Sequence, residues 1–155
     1  MHIKVRKNNA KISADELKYA CKWFAEMLMS PKMIKTLDIL IANNSDEGLK
    51  GSTECYDDGC RTPRTFTIRI DSNLSRKNQL LTLAHEMVHV KQFANGEMKD
   101  HRRKPDVVQW NKQSVNCEQT EYWDLPWEIE AYGREYGLYI RYTTHLRDQA
   151  IVFSE

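Results

Sequence analysis

The sequence predicts an α+β single domain, and three stretches carry that prediction. "RTFTIRID", Arg64 to Asp71, alternates apolar and polar residues as a half-buried strand does. "SRKNQLLTLAHEMVHVKQFANG" follows it, with Ser75 as N-cap, Gly96 as stop and a core face of Leu80, Leu83, Ala84, Met87 and Val88. "SADELKYACKWFAEMLM", Ser13 to Met29, repeats Leu17, Ala20, Cys21, Phe24 and Leu28 at helical spacing.

The remaining elements follow in chain order. "MHIKVRKNNAK" is basic and has no apolar core of a secretory signal, so it reads as a solvated strand or tail. Ser13 caps the first helix, Glu16 completes a capping box, and "SP" at Ser30–Pro31 stops it. "MIKTLDILI", Met33 to Ile41, is predicted as a strand, "ANNSDEG" as a turn, and Leu49 to Tyr56 as a second strand. Asp57–Gly59, "DDG", is a hairpin signal between that strand and Arg64 to Asp71. Glu97 to Leu125 shows no period and is predicted as a long loop, either functional or poorly ordered. Pro126 suits the first position of a last helix, Trp127 to about Tyr142. The expected assembly is a small, mostly antiparallel sheet packed on two helices.

Composition bounds the function. The chain has 155 residues, 41% apolar and 29% charged, which fits one ordered domain spanning 1–155. No run approaches 18 apolar residues, so no membrane partner is expected. A net charge of +1 exerts no general pull on nucleic acid. The basic run "KDHRRK", residues 99–104, is the one stretch that offers phosphate contacts, and a solvated loop is its simpler reading. Cys21, Cys55, Cys60 and Cys117 are too few for a disulfide scaffold, which points to reduced thiols in a cytoplasm. Cys55 and Cys60 are spaced too widely for a zinc knuckle and read as two hairpin thiols.

The chemistry lies in "HEMVH". Residues four apart share a helix face, so His85 and His89 can reach one metal ion, with bonds of about 2.0–2.1 Å. Glu86 is one residue round, placed to take a proton from a water activated by that ion. A catalytic site needs a third protein ligand and an open position. His101, Cys117, Glu118, Glu121, Glu128, Glu130 and His145 are the candidates, and "LPWEIEAYGREYG" stands out because it puts carboxylates in the first turn of a helix. Glu128 and Glu130 are about 200° apart on a helix, so only one of them can face the ion. Packing alone leaves both open. Two histidines and a carboxylate make zinc (Zn2+) the default metal, although other divalent ions bind such sets.

"LAHEMVHVKQ" followed by "PWEIEAYGRE" resembles the small zincin metallopeptidases whose third ligand is a glutamate, the gluzincin pattern. It is also similar to the SprT-like and related short metallopeptidase domains often encoded by bacteriophages. The likeness covers about Phe66 to Tyr139. It implies a zincin-like fold, zinc, His85 and His89 as ligands, Glu86 as general base, and Glu128 as third ligand with Ala131 at the small position. Where the family often has Asp or Asn as partner to a histidine, this chain has Tyr132, which keeps Glu130 open. The resemblance makes Thr65 to Asp71 the edge strand to which a peptide adds.

The implied reaction is hydrolysis of a peptide bond in a peptide or protein substrate, by a monomer in the cytoplasm, or in the host cytoplasm if a virus encodes it. Tyr132, Tyr136, His101 and His145 are candidates to stabilise the oxyanion. Trp110, Trp123 and Trp127 are candidate substrate contacts, with Trp127 favoured for its place beside Glu128. Two other functions compete. One is a SprT-like protease acting on DNA-associated proteins through the basic loop. The other is a metal-scaffolded interaction module without turnover.

Overall fold

The first long helix, α1 (Ala14–Leu28), starts where Ser13 Oγ accepts a hydrogen bond from the Glu16 N–H at 3.1 Å. In this computed structural model, which describes residues 1–7, 11–44, 48–57, 60–100 and 104–153, Glu16 does not close the capping box. Its buried carboxylate instead takes the guanidinium of Arg76, which opens the second long helix. The pair ties the two helices together at their N-terminal ends.

β1 (His2–Lys7) precedes α1 and lies parallel to β2 (Asp38–Asn44), so the basic N-terminus is an edge strand of the main sheet. The strand expected at Met33 to Ile41 is split. Ser30 and Pro31 stop α1, but they also start a short helix, α2 (Pro31–Ile34), with Ser30 Oγ accepting from the Met33 N–H. The strand begins four residues later, where Ile39 and Ile41 are buried on the helix side of the sheet.

β3 (Gly51–Cys55) and β4 (Thr65–Asp71) form the antiparallel pair, and β4 also lies parallel to β2. The sheet order is β1-β2-β4-β3. The main sheet is therefore mixed, with two parallel pairs and one antiparallel pair, rather than mostly antiparallel. The cause is α1, which carries the chain back over the sheet and returns β2 in the direction of β1. Phe66, Ile68 and Ile70 are buried as the alternation predicts. Because β4 is an interior strand, it cannot be the peptide-binding edge; the edges of this sheet are β1 and β3. Asp57 closes the loop between the two strands by accepting from the N–H groups of Arg64 and Thr65 at 2.6 and 2.9 Å. Asp58 and Gly59 of the expected turn lie outside the described residues.

α3 (Arg76–Ala94) runs from its Ser75 cap to Gly96, whose φ of 71° suits the residue after a helix. α1 and α3 pack on the sheet, and α4 (Pro126–Asp148) packs on α3 from the other side. α4 is longer than expected, because Leu138, Tyr142 and Leu146 keep one face in the core.

The described residues between 97 and 125 are not a long loop. They build a second, antiparallel sheet of β5 (Met98–Asp100), β6 (Val107–Trp110) and β7 (Gln113–Asn116), then a 3-10 turn at Tyr122–Asp124. β6 and β7 are joined by Asn111 and Lys112, both at positive φ (48° and 71°), as a two-residue hairpin turn requires. Asn-Lys lacks the glycine that usually advertises that turn, and the strands are too short to show a period. His101, Arg102 and Arg103 of the basic run lie outside the described residues. Among the described residues no helix is long and apolar enough to cross a membrane.

Candidate metal centre

α3 buries a polar stripe. Gln79, Thr82, His85, Glu86, His89 and Gln92 recur three and four residues apart, and all are buried. Burying such groups costs free energy unless each finds a partner. Gln79 has its partners in Asn43, Ser72 and Leu74, and this end of the stripe is structural. The middle of the stripe faces Glu128 in the first turn of α4.

His85, His89 and Glu128 form a buried group that could hold a metal ion. The two Nε2 atoms are 3.1 Å apart, His85 Nε2 is 3.3 Å from Glu128 Oε2, and His89 Nε2 is 3.4 Å from Glu128 Oε1. Ligand atoms at the corners of a tetrahedron with bonds of about 2.0–2.1 Å stand about 3.3–3.4 Å apart. The two nitrogens and the carboxylate thus stand at about the spacing a shared ion requires, with Glu128 turning one oxygen toward each histidine.

The surrounding hydrogen bonds decide which ring nitrogens carry protons. His85 Nδ1 lies 2.9 Å from Glu135 Oε2, an acceptor, so it is the protonated nitrogen of the neutral ring. His89 Nδ1 lies 2.8 Å from Gln92 Oε1. The amide cannot be turned round, because Gln92 Nε2 donates to Trp127 O at 3.0 Å and to Glu130 Oε2 at 3.1 Å. When both rings are neutral, their Nε2 lone pairs therefore converge on a point shared with a carboxylate. Three acceptors facing one another repel unless a cation or protons sit among them. The donor set fits a divalent metal for this reason, and it matches the usual backing of metal-bound histidines.

The charges respond as this geometry requires. Burial pulls the His85 imidazole down, but hydrogen bonds to Glu128 and Glu135 and the Glu86 charge outweigh it and raise the ring to about 9. Burial also pushes Glu128 up, and the bonds from His85, His89 and Tyr122 win and hold it well below the usual carboxylate range. For Glu86 burial prevails over the His89 charge and the Thr53 bond, and its carboxyl is raised. Thr53 on β3 donates to Glu86 Oε2 at 2.7 Å, which fixes that carboxylate against the sheet edge.

Glu130 turns away from the group. It accepts from Lys91 at 2.7 Å, Arg134 at 2.9 Å and Gln92, so it braces His89 at one remove. Of the other third-ligand candidates, Glu118 and Glu121 are exposed, Cys117 packs beside Met98 and Trp127, and His145 bonds Tyr19 at 2.8 Å within the α1–α4 packing. Those positions remove His145 from the oxyanion candidates as well. Tyr136 is exposed on the outer face of α4, and Tyr132 meets the His85 ring edge-on at 4.6 Å. His101 lies outside the described residues.

Of the three candidate tryptophans, Trp123 reaches the cleft and the favoured Trp127 does not. Trp127 is 6% exposed and packs with Trp110, Met98 and Leu125. Trp123 is 67% exposed and lines the cleft with His85 and Glu86. Four residues of the site carry no local sequence signal strong enough to single them out. They are Thr53, Gln92, Tyr122, whose hydroxyl donates to Glu128 Oε2 at 2.6 Å, and Glu135. Only Gln92 and Glu135 could have been found by spacing, at three residues from His89 and seven from Glu128 on the same helix faces.

Comparison of the chain with protein-family models, curated proteins and solved structures found no match. The fold and the site define a mixed α+β domain with a buried His/His/Glu group suited to a metal ion.

Proposed function

We propose that this chain is a zinc-dependent peptidase of the gluzincin type, with His85, His89 and Glu128 as ligands and Glu86 as general base. The observation that carries the reading is the convergence of two imidazole nitrogens and a carboxylate within 3.1, 3.3 and 3.4 Å of one another, with a second, raised carboxylate beside them. Zinc is favoured among divalent ions by its acceptance of mixed nitrogen and oxygen donors in four-coordinate sites.

A zinc ion bound there would supply Lewis acidity, polarising the scissile carbonyl and making a water nucleophilic at neutral pH. Glu86 takes the proton of the attacking water and returns it to the leaving nitrogen. A raised carboxyl is a stronger base once ionised, and a cation nearby keeps it ionised. Thr53 holds Glu86 in place, while Glu135 and Gln92 hold the two imidazoles in the tautomer that presents Nε2. A peptide adds along β3, where Lys50 and Tyr56 bond to β4 and the alternate residues Gly51 and Thr53 direct their backbone groups outward.

The test is zinc-loaded wild type against Glu86→Gln on a mixed peptide substrate. The reading expects cleavage by wild type and a loss of about a hundredfold to ten-thousandfold in the variant, with zinc still bound. Zinc binding without turnover in wild type would favour a metal-scaffolded interaction module instead.

A further inference from the structure

The cleft above Glu86 is walled by large apolar side chains that remain in water. Trp123 is 67% exposed, Leu49 60%, Tyr122 47% and Tyr132 41%, and all four line one cavity of about 390 Å³ together with His85 and Glu86. Exposed single apolar residues are ordinary, but a cluster around a concave site marks a binding surface. The rings also support one another. Trp123 lies 5.0 Å from Tyr132 and 5.3 Å from Tyr122, and Tyr132 lies 4.6 Å from His85. The wall is thus tied to a candidate ligand at one end and to solvent at the other.

Position and size say what the wall is for. The approach to β3, Gly48 to Gly51, lines the same cavity and contributes Leu49 to the wall. A peptide laid along that edge alternates its side chains, so one residue in two points toward the helices. At about 390 Å³ the space lies at the lower end of ligand clefts, roughly 300–1,000 Å³, and holds one or two side chains rather than a folded partner. Glu86, Glu135, Lys50 and His85 line the same cavity, so its charged groups are mixed in sign and the apolar wall is what distinguishes it.

We infer that this cleft selects peptides with an aromatic or bulky aliphatic side chain beside the bond to be cut, and that Trp123 is the selecting residue. The inference rests on the peptidase reading for the word "cut" and on the cavity for the selectivity. Edge-to-face and offset packing on Trp123, Tyr122 and Tyr132 supplies the attraction.

Two measurements separate the claims. The first is kcat/KM of zinc-loaded wild type on quenched peptides that differ at one position, carrying Phe, Leu, Ala, Lys or Asp. Phe and Leu are expected to exceed Ala, Lys and Asp by about tenfold or more. Trp123→Ala is expected to reduce the Phe/Ala ratio severalfold, and Met27→Ala, a change of an exposed residue on α1, to leave the ratio unchanged. Equal rates, a preference for Lys, or an undiminished ratio in Trp123→Ala would overturn the inference while leaving the peptidase reading intact. The second measurement is binding of the Phe and Asp peptides to Glu86→Gln. If no peptide is cut by wild type, the peptidase reading fails; tighter binding of the Phe peptide, lost in Trp123→Ala, would still support the selecting wall. Equal binding would remove it.

Discussion

Glu135 Oε2 accepts from His85 Nδ1 at 2.9 Å, and it does so from two turns along α4 beyond Glu128, the carboxylate that faces the Nε2 of the same ring. One helix thus addresses both nitrogens of one imidazole. Residues seven apart return to the same face of a helix, which is why a single element can supply a candidate ligand and the partner that orients its neighbour. The role that the resemblance assigned to the residue after Ala131 is taken by a residue three positions further on than Tyr132.

Glu135→Gln is expected to weaken metal binding by about 10–100-fold, because the ring loses the carboxylate that fixes its tautomer and strengthens its donor atom. A chelator competition titration reads this directly. Glu135→Asp, which keeps the charge on a shorter arm, is expected to recover part of the loss. An unchanged affinity in Glu135→Gln would show that the bond to His85 is incidental.

Metal binding is expected to release a proton at neutral pH. His85 is raised to about 9, so below that pH the metal-free ring is protonated, and a metal must displace that proton to reach Nε2. Above pH about 9 the ring is already neutral and the release fades. Calorimetry in buffers of different ionisation enthalpy measures the number. Zero release at pH 7 would contradict the assignment of His85 as a ligand.

The general base offers a second pH test. Thr53 donates to Glu86 and lowers its pKa against a burial that raises it. Thr53→Val removes the donor and leaves burial unopposed, so the carboxyl titrates higher. Activity that needs ionised Glu86 is then lost at a higher pH as the solution is acidified. The acid limb of kcat/KM against pH is expected to move upward in Thr53→Val. A limb that stays in place or moves down would separate Thr53 from Glu86 in function.

At Gly51 β3 approaches α3 too closely to leave room for a side chain. A Cβ there would stand 2.3 Å from Thr82 Cγ2 and 3.0 Å from Glu86 Oε1. Gly51→Ala is expected to destabilise the fold by about 1–3 kcal/mol, as overpacking does, and to displace Glu86. Thr82→Ser removes the methyl that would be struck, so the double variant is expected to be more stable than Gly51→Ala alone. Denaturant unfolding of the single and double variants checks the coupling.

The legible parts of the fold were those with a long period or a clear cap. α1, β4 and α3 were readable because each carries a regular apolar face, although α3 is buried on its polar side as well, and Ser13 and Ser75 cap where expected. Met33 to Ile41 misled because a four-residue helix and a strand share one apolar run, and Ser30–Pro31 serves as both stop and start. Parallel pairing of β1 with β2 is set by the return over α1, which local alternation does not report. At the site, His85, Glu86 and His89 lie within one helical turn and show themselves. Spacing could not separate Glu128 from Glu130; only the packing of α4 on α3 turns one toward the histidines and the other toward Lys91 and Arg134. Thr53 and Tyr122 reach the site from distant segments, and no local pattern announces them.

The most direct measurement is metal content by mass spectrometry on wild type, His89→Ala, Glu128→Ala and Glu130→Ala, each purified without chelator and offered zinc. The account predicts one zinc per chain in wild type and in Glu130→Ala, and its loss in His89→Ala and Glu128→Ala. Zinc lost in Glu130→Ala but kept in Glu128→Ala, or no zinc in wild type, would contradict it.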